Sequence, residues 1–349
     1  MKQIKIALVN PPLPGHKQRG TGTYLEELIK ALNKCTEIEV TLVRINSDIS
    51  KFDLVHYPYY DPFFLTLPLI KIKPTVVTVH DMIPLKFPNY FQKGLRGEIK
   101  WLIQRQSLKG AKTIITDSYA SKKDIVKFTA ISEEKINVIY LGVREEFKVI
   151  SSQKELDEVR VKYSLPSSFI LYVGDVNYNK NIPGIIKSFL SATQKFENIY
   201  LVLVGNGFIN NSIQLSDINN LISKLRLEEK VIKLGFIDLS DLAGIYNLAK
   251  VYLQPSFAEG FGLPILEAMA CGCPVVTSDT SSLAEIAGPA IRIDPTSIDS
   301  ISKGMSKALV LTEKDRENLI QAQLQWVQKF SWKNVARKTI ETYKKALKK

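Results

Sequence analysis

The sequence predicts an α/β protein built from two doubly wound parallel-sheet domains. Three observations predict it. Short β-branched runs alternate with helical periodicity along most of the 349 residues, the pattern of parallel strands joined by crossover helices. The alternation stops over residues 144–166, which are polar, charged and strandless, and then begins again. The length suits about two domains of roughly 150 residues each.

In the first half, "IKIALVN" (4–10), "EVTLVRI" (39–45), "FDLVHY" (52–57), "PTVVTVH" (74–80), "KTIITDS" (112–118) and "INVIYLG" (136–142) read as buried strands. Helical stretches lie between them, among them Tyr24 to Asn33 and Lys122 to Phe128. The second half repeats the design with "FILYVGD" (169–175), "IYLVLVG" (199–205), "VIKLGF" (231–236), "VYLQPS" (251–256), "PVVTSD" (274–279) and "AIRID" (290–294). Helices are expected near 183–192 and 213–225, and from Leu239 and Pro264. From Ser302 the chain reads as helical, with Trp326 and Trp332 as packing anchors. The expected division is a domain over 1–163, a second over 164–330 and a C-terminal helix, 331–349, crossing back to the first. Two Rossmann-like domains of this kind place ligands at the C-terminal ends of their strands, in a cleft which they face.

Composition narrows the partners. Residues 1–163 carry 26 basic and 18 acidic groups, residues 164–330 carry 14 and 16, and residues 331–349 carry 7 and 1. The net charge of +12 therefore sits on the first domain and the tail, a field that favours anionic partners. Nucleic acid is not expected, because the basic residues show neither a helix-turn-helix pattern nor interleaved aromatics. The apolar stretch Phe63 to Ile70 is far too short to cross a bilayer. "MKQIKIALVN" reads as an opening strand rather than a leader, and Cys35, Cys271 and Cys273 cannot all pair. A cytoplasmic protein is expected.

The most specific segment is "PSFAEGFGLPILEAMACGCPVV", residues 255–276. A loop leads into a helix opened by Pro264 and ended by Gly272. A loop at a helix start is expected to turn backbone N–H groups outward at the positive helix end, so those of Phe261, Gly262 and Leu263 are suited to phosphate or sugar oxygens. Glu259 lies on the loop, and Glu267 is expected in the first helical turn, where a carboxylate can accept both hydroxyls of a ribose or simply favour the helix dipole.

With "GTGTYLEELIKAL", "VVTVHDMIPLKFP", "TIITDSYASKKDIVKF", "FILYVGDVNYNKNIPGIIKSF" and "SDTSSLAEIAG" in the same order, this segment resembles the Glu-x7-Glu region of family-four retaining glycosyltransferases, in the mannosyltransferase-like branch. The resemblance covers nearly the whole chain and implies the GT-B fold. It implies transfer of a hexose, mannose favoured, from a GDP- or UDP-linked sugar to a glycan or lipid-linked acceptor. It also implies that Glu267 binds the donor ribose, that Glu259 lies at the transferred sugar, and that Phe261, Gly262 and Leu263 surround sugar and phosphates. Lys180 matches the lysine that neutralises the donor diphosphate. Many relatives carry an arginine five positions earlier, where this chain has Asp175, which cannot act as a phosphate clamp. The second phosphate contact is left to Asn177, Asn179 or loop amides.

In the first domain, "RGTGTY" allows a tight turn at Gly20 and Gly22 before a helix at about Tyr24, and the resemblance brings Gly22 to the diphosphate. His80 ends a strand, where it either caps the sheet or, as the resemblance implies, contacts the transferred sugar; Asp81 is the local carboxylate. No metal is expected: the sequence lacks a strand-end Asp-x-Asp, His16, His56 and His80 are scattered, and Cys271-x-Cys273 lacks partner ligands. No cofactor is expected beyond the donor substrate. Residues 91–109 interleave Leu95, Ile99, Leu102 and Ile103 with Lys93, Arg96, Lys100 and Arg105. That pattern fits either an ordinary helix on the first sheet or a peripheral contact with the anionic inner face of a membrane. The alternatives to a transferase are a GT-B sugar-nucleotide epimerase and a basic nucleic-acid-binding protein.

Overall fold

The computed structural model describes residues 3–11, 20–210 and 212–348. The chain forms two compact units, Met1–Gly142 with Phe330–Lys349, and Val143–Lys329.

In the first unit the chain runs β1 (Ile4–Val9), α1 (Gly20–Leu32), β2 (Ile38–Val43), β3 (Leu54–Tyr57), β4 (Thr75–Thr78), α2 (Ile83–Lys86), α3 (Gly94–Lys109), β5 (Thr113–Thr116), α4 (Tyr119–Thr129) and β6 (Ile136–Val138). The strands form one parallel sheet in the order β2-β1-β3-β4-β5-β6. All four residues of β3, β4 and β5 are buried, which is why these runs are β-branched or apolar rather than alternating, with His56 of β3 the one exception. Helix α1 opens at Gly20, four residues before the sequence predicts, and buries Tyr24, Leu28, Ala31 and Leu32.

In the second unit the order is α5 (Gln153–Lys162), β7 (Phe169–Val173), α6 (Ile182–Thr193), β8 (Tyr200–Val204), α7 (Ile213–Lys224), β9 (Val231–Leu234), α8 (Leu239–Leu248), β10 (Val251–Gln254), α9 (Leu263–Ala270), β11 (Val275–Ser278), α10 (Ser281–Ile286), β12 (Ile291–Ile293), α11 (Ile298–Leu309) and α12 (Glu313–Val327). Its parallel sheet is ordered β12-β11-β10-β7-β8-β9. The boundary expected at residue 163 lies instead after Gly142, because α5 packs on α8, where Gly244 leaves room for Val159. Trp326 anchors α12 by donating from Nε1 to the Ile286 carbonyl at 2.8 Å.

The last helix, α13 (Trp332–Leu347), belongs to the first unit and packs on α1. It buries Trp332, Val335, Ala336, Thr339, Ile340 and Tyr343. A Cβ on Gly142 would stand 2.3 Å from the Trp332 nitrogen, so only glycine lets the chain leave β6 against this helix. Inside, the His56 ring bridges the Tyr343 hydroxyl (2.7 Å) and Thr78 Oγ1 (2.8 Å), and Thr78 in turn meets the Tyr24 hydroxyl at 3.0 Å. Burial drives the His56 pKa down to about 3, so this ring is a neutral structural bridge.

Candidate active site

The second sheet changes direction between β7 and β10: from β7 the chain moves outward through β8 and β9, then returns to β10 on the other side. Loops leaving the two strands therefore diverge, and this is where a doubly wound sheet opens a crevice. The β7 loop carries Asn177 to Asn181 and the β10 loop carries Pro255 to Gly262.

Two asparagines stitch the loops together. Asn181 adopts a left-handed φ of 57°, accepts the Gly184 amide at 3.2 Å, and donates to the carbonyls of Pro255 (3.1 Å) and Pro295 (2.8 Å). The Asn179 side chain donates to the Ala258 carbonyl at 3.0 Å, and its own carbonyl accepts the Phe257 amide at 2.8 Å. Asn179 is thus a clasp, which removes its side-chain amide from the phosphate contacts expected of it. Asp175 follows β7, its carbonyl accepting the Tyr172 hydroxyl at 2.9 Å.

This stitching brings Lys180 onto Glu259, 79 residues away. Nζ lies 2.8 Å from Oε1 and 2.7 Å from Oε2, both side chains being largely buried. Gln254 Nε2 (2.9 Å) and Ser256 Oγ (2.7 Å) also donate to Oε1. Tyr252 donates to Gln254 Oε1 at 2.7 Å and so turns the amide nitrogen toward Glu259. Ser281 and Ser282 hold the Glu259 carbonyl at 3.0 and 2.9 Å. None of these supporting residues is named by the sequence reading; the signal for Gln254 is a polar residue closing an otherwise apolar strand.

Helix α9 begins at Leu263, so Pro264 is its second residue. Glu267 lies one turn beyond the helix start, and the first turn has no acid. The expected dipole pairing is therefore absent; Glu267 is positioned by side chains. Burial pushes its carboxyl up to about 7, against the Tyr246 hydroxyl, which donates at 3.2 Å, and the Arg144 charge. Gly262 has φ 106°, and a Cβ there would stand 2.5 Å from Leu283 Cδ2, so glycine is required just where Phe261, Gly262 and Leu263 lead into the helix.

In the first unit, Gly22 lies within the first turn of α1 rather than in a preceding turn. His80 follows β4, with Nδ1 2.6 Å from Asp117 Oδ2 and Nε2 3.2 Å from the Pro58 carbonyl. Both ring nitrogens face acceptors, the arrangement of an imidazolium. Burial lowers the His80 pKa, and the Asp117 charge and hydrogen bond, with the Asp81 charge and the Pro58 carbonyl, more than reverse this, leaving it raised. The Tyr24 ring meets it edge-on at 4.7 Å, and the His80 carbonyl accepts the Ser121 hydroxyl at 2.8 Å. Asp81 Oδ1 accepts the Ile83 amide at 2.8 Å. Among the described residues no group of three or more His, Cys, Asp or Glu could hold a metal; His16 lies outside them.

Residues 153–326 match the model for glycosyl transferases group 1, and residues 41–147 match glycosyltransferase family 4. O-antigen chain mannosyltransferase B of Escherichia coli is 31% identical over 298 residues, covering 84% of this chain and 75% of that protein. The chain is a family-four glycosyltransferase.

It falls in the mannosyltransferase-like part of the family. The serotype-specific mannosyltransferase WbdA of Escherichia coli is 29% identical over 313 residues, 88% of this glycosyltransferase but only 38% of WbdA. Among solved structures, sucrose-phosphate synthase from Thermosynechococcus elongatus superposes with a TM-score of 0.76 at 18% identity, over 98% of this chain and 99% of that one. Anabaena HepE in complex with UDP and glucose gives 0.75 at 17% identity, over 98% and 100%. WaaG, a glycosyltransferase involved in lipopolysaccharide biosynthesis, gives 0.72 at 15% identity, over 96% and 98%. These likenesses establish the GT-B fold. Lys180, Glu259 and Glu267 all lie inside the group 1 match.

Proposed function

We propose that this glycosyltransferase moves a mannosyl group from a nucleotide-diphosphate sugar to a glycan or lipid-linked acceptor, with retention of anomeric configuration. The observation that carries the reading is the Lys180–Glu259 pair, held at the strand crossover by four supporting donors and clasps. A cation and a hydrogen-bonding carboxylate on one mount suit a ligand that joins a diphosphate to a sugar.

In this reading the donor diphosphate draws the Lys180 ammonium, which leaves Glu259 to accept from sugar hydroxyls while Gln254 and Ser256 keep it in place. The ribose diol donates to Glu267. The amides of Phe261, Gly262 and Leu263 meet sugar and phosphate oxygens at the start of α9. As the bond from C1 to the phosphate oxygen breaks, negative charge grows on the leaving diphosphate, and Lys180 stabilises it more in the transition state than in the bound donor. The acceptor hydroxyl attacks C1 from the same face and its proton passes to the departing phosphate oxygen, so no protein base is required. His80 and Gly22 are assigned to the sugar and the diphosphate, with Asp117 as the residue that positions His80. Gly-loop amides and Asn177 remain as the second phosphate contact in place of the arginine absent at Asp175. The mannosyltransferase relatives support the choice of sugar.

The test is incubation with GDP-mannose, UDP-glucose and a mannose-terminated acceptor, with the product read by the one-bond C–H coupling at the new anomeric carbon. An α-linked mannoside from an α-linked donor is expected; an inverted linkage, or free mannose alone, contradicts the reading.

A further inference from the structure

We propose that the segment 63–72 and helix α3, side by side in the first unit, form a surface that docks on an anionic lipid bilayer. The two are tied along their length. Lys93 lies 5.4 Å over the Phe63 ring and Lys100 5.3 Å over Phe64. Gln104 accepts from the Thr66 and Leu67 amides at 3.0 and 3.1 Å, and Ser107 donates to the Pro68 carbonyl at 2.6 Å.

This tie decides which side of α3 looks inward. Gly97, Gln104, Ser107 and Leu108 are buried, and Trp101 packs on the core. Leu95, Ile99 and Leu102, spaced i, i+4 and i+7, are left in solvent, with Leu95 79% exposed. The neighbouring segment adds Phe64, Leu65, Leu69, Ile70 and Ile72, with Ile70 also 79% exposed. Eight of the 19 large hydrophobic residues that the described chain leaves exposed fall in these two short stretches. Apolar surface gathered this way marks an interaction site rather than ordinary scatter.

Charge selects the occupant. Residues 61–73 and 93–109 hold seven basic side chains against two acidic ones, Asp61 and Glu98. Asp61 is turned back onto the Phe63 amide, and Glu98 is paired with Lys93 at 2.7 Å. Apolar side chains set among Arg96, Lys100, Lys109 and Lys73 suit headgroups of negative charge above acyl chains. A second copy would bring the same positive field against itself. No helix among the described residues is long and apolar enough to cross a membrane, so the contact lies in the interface plane. The proposal concerns where the protein sits and does not depend on the donor or the linkage.

The experiment is flotation of the full chain with vesicles of phosphatidylcholine alone and with about one third phosphatidylglycerol, at low and high salt. Wild type is expected to float with the anionic vesicles, less so at high salt. Arg96→Gln with Lys100→Gln should weaken that binding about thirtyfold, from the roughly fivefold carried by each near-surface cation. Leu95→Ser, Ile99→Ser and Leu102→Ser together should abolish it while the chain still melts in one cooperative transition only modestly below wild type, because these side chains are mostly exposed and the change costs chiefly helix propensity. Wild type that stays with the soluble fraction, binds both vesicles equally, or is matched by either variant would overturn the proposal. So would a concentration-dependent dimer that the triple variant disperses.

Discussion

Raising the pH should weaken the second unit through Glu267, and Glu267→Gln should remove that dependence. Burial moves this carboxyl from 4.5 up to about 7, with the Tyr246 hydroxyl and Arg144 holding it back part of the way. Below 4.5 the group is protonated in the folded and the unfolded chain and contributes nothing to the pH dependence. Between 4.5 and about 7 the unfolded chain ionises while the folded one keeps its proton, so stability falls as the pH rises. Above that window the full penalty is present: at about 1.4 kcal/mol per pH unit it amounts to about 3 kcal/mol. Glutamine keeps the shape and still accepts from Tyr246, but it cannot ionise. Calorimetric melting curves should therefore agree at about pH 4.5 and diverge to a gain of about 6–12 °C for the variant at about pH 8.5, taking about 2–4 °C per kcal/mol for a unit of this size. A difference that does not change with pH would refute the reasoning. The same equilibrium reaches the ligand: a ribose diol donates to the ionised form, so donor affinity should fall about tenfold per pH unit below the Glu267 pKa.

Lys180→Met should lower turnover by about a hundredfold to a thousandfold and change the donor KM far less, measured in steady-state kinetics; a KM effect alone would assign Lys180 to ground-state binding. Asp117→Asn removes the largest influence that holds the His80 pKa up and should lower it, with the Asp81 charge and the Pro58 carbonyl left to oppose burial, followed by the ring-proton NMR titration; an unmoved titration would separate the two residues. Tyr343→Phe strips the buried His56 ring of its Nδ1 partner and should lower stability by about 1–3 kcal/mol in denaturant unfolding. Asn181→Ala loses three hydrogen bonds and a residue tolerant of the left-handed backbone, so about 3 kcal/mol is expected, with donor binding weakened as the Lys180 loop loosens.

The strands were legible because each is a short run rich in apolar and β-branched residues, and the central ones are buried on both faces, as in β7, β8 and β10. Helix ends were less so. Gly20 and Gly22 read as turn residues, yet they open α1 because Tyr24 and Leu28 bury against the sheet and draw the helix back toward the loop. The stretch 144–166 reads as a linker because α5 has only a thin apolar stripe, Leu156 and Val159; the groove at Gly244 that receives it lies far along the chain. In α3 two apolar stripes compete, and local periodicity cannot say which turns inward. The hydrogen bonds of Gln104 to Thr66 and Leu67 decide it, and these depend on tertiary structure.

At the site, Glu259, Glu267 and Lys180 are visible as residue types in a spaced motif, but their partners are not. The Lys180–Glu259 pair depends on two loops meeting at the crossover of a sheet, and Gln254 and Ser256 serve Glu259 only once β10 has set their direction. Asp117 is a charged residue closing a β-branched strand, a hint in "TIITDS" whose meaning comes from His80 at the next strand end.

The most direct measurement is calorimetric titration of GDP-mannose and UDP-glucose into the wild-type chain and into Glu267→Ala at fixed pH and salt. Saturable binding of one nucleotide sugar by wild type, weakened about tenfold to a hundredfold in the variant for want of the charged acceptor, is the predicted result. Equal affinity in the two proteins would contradict the assignment of the nucleotide to this loop and helix.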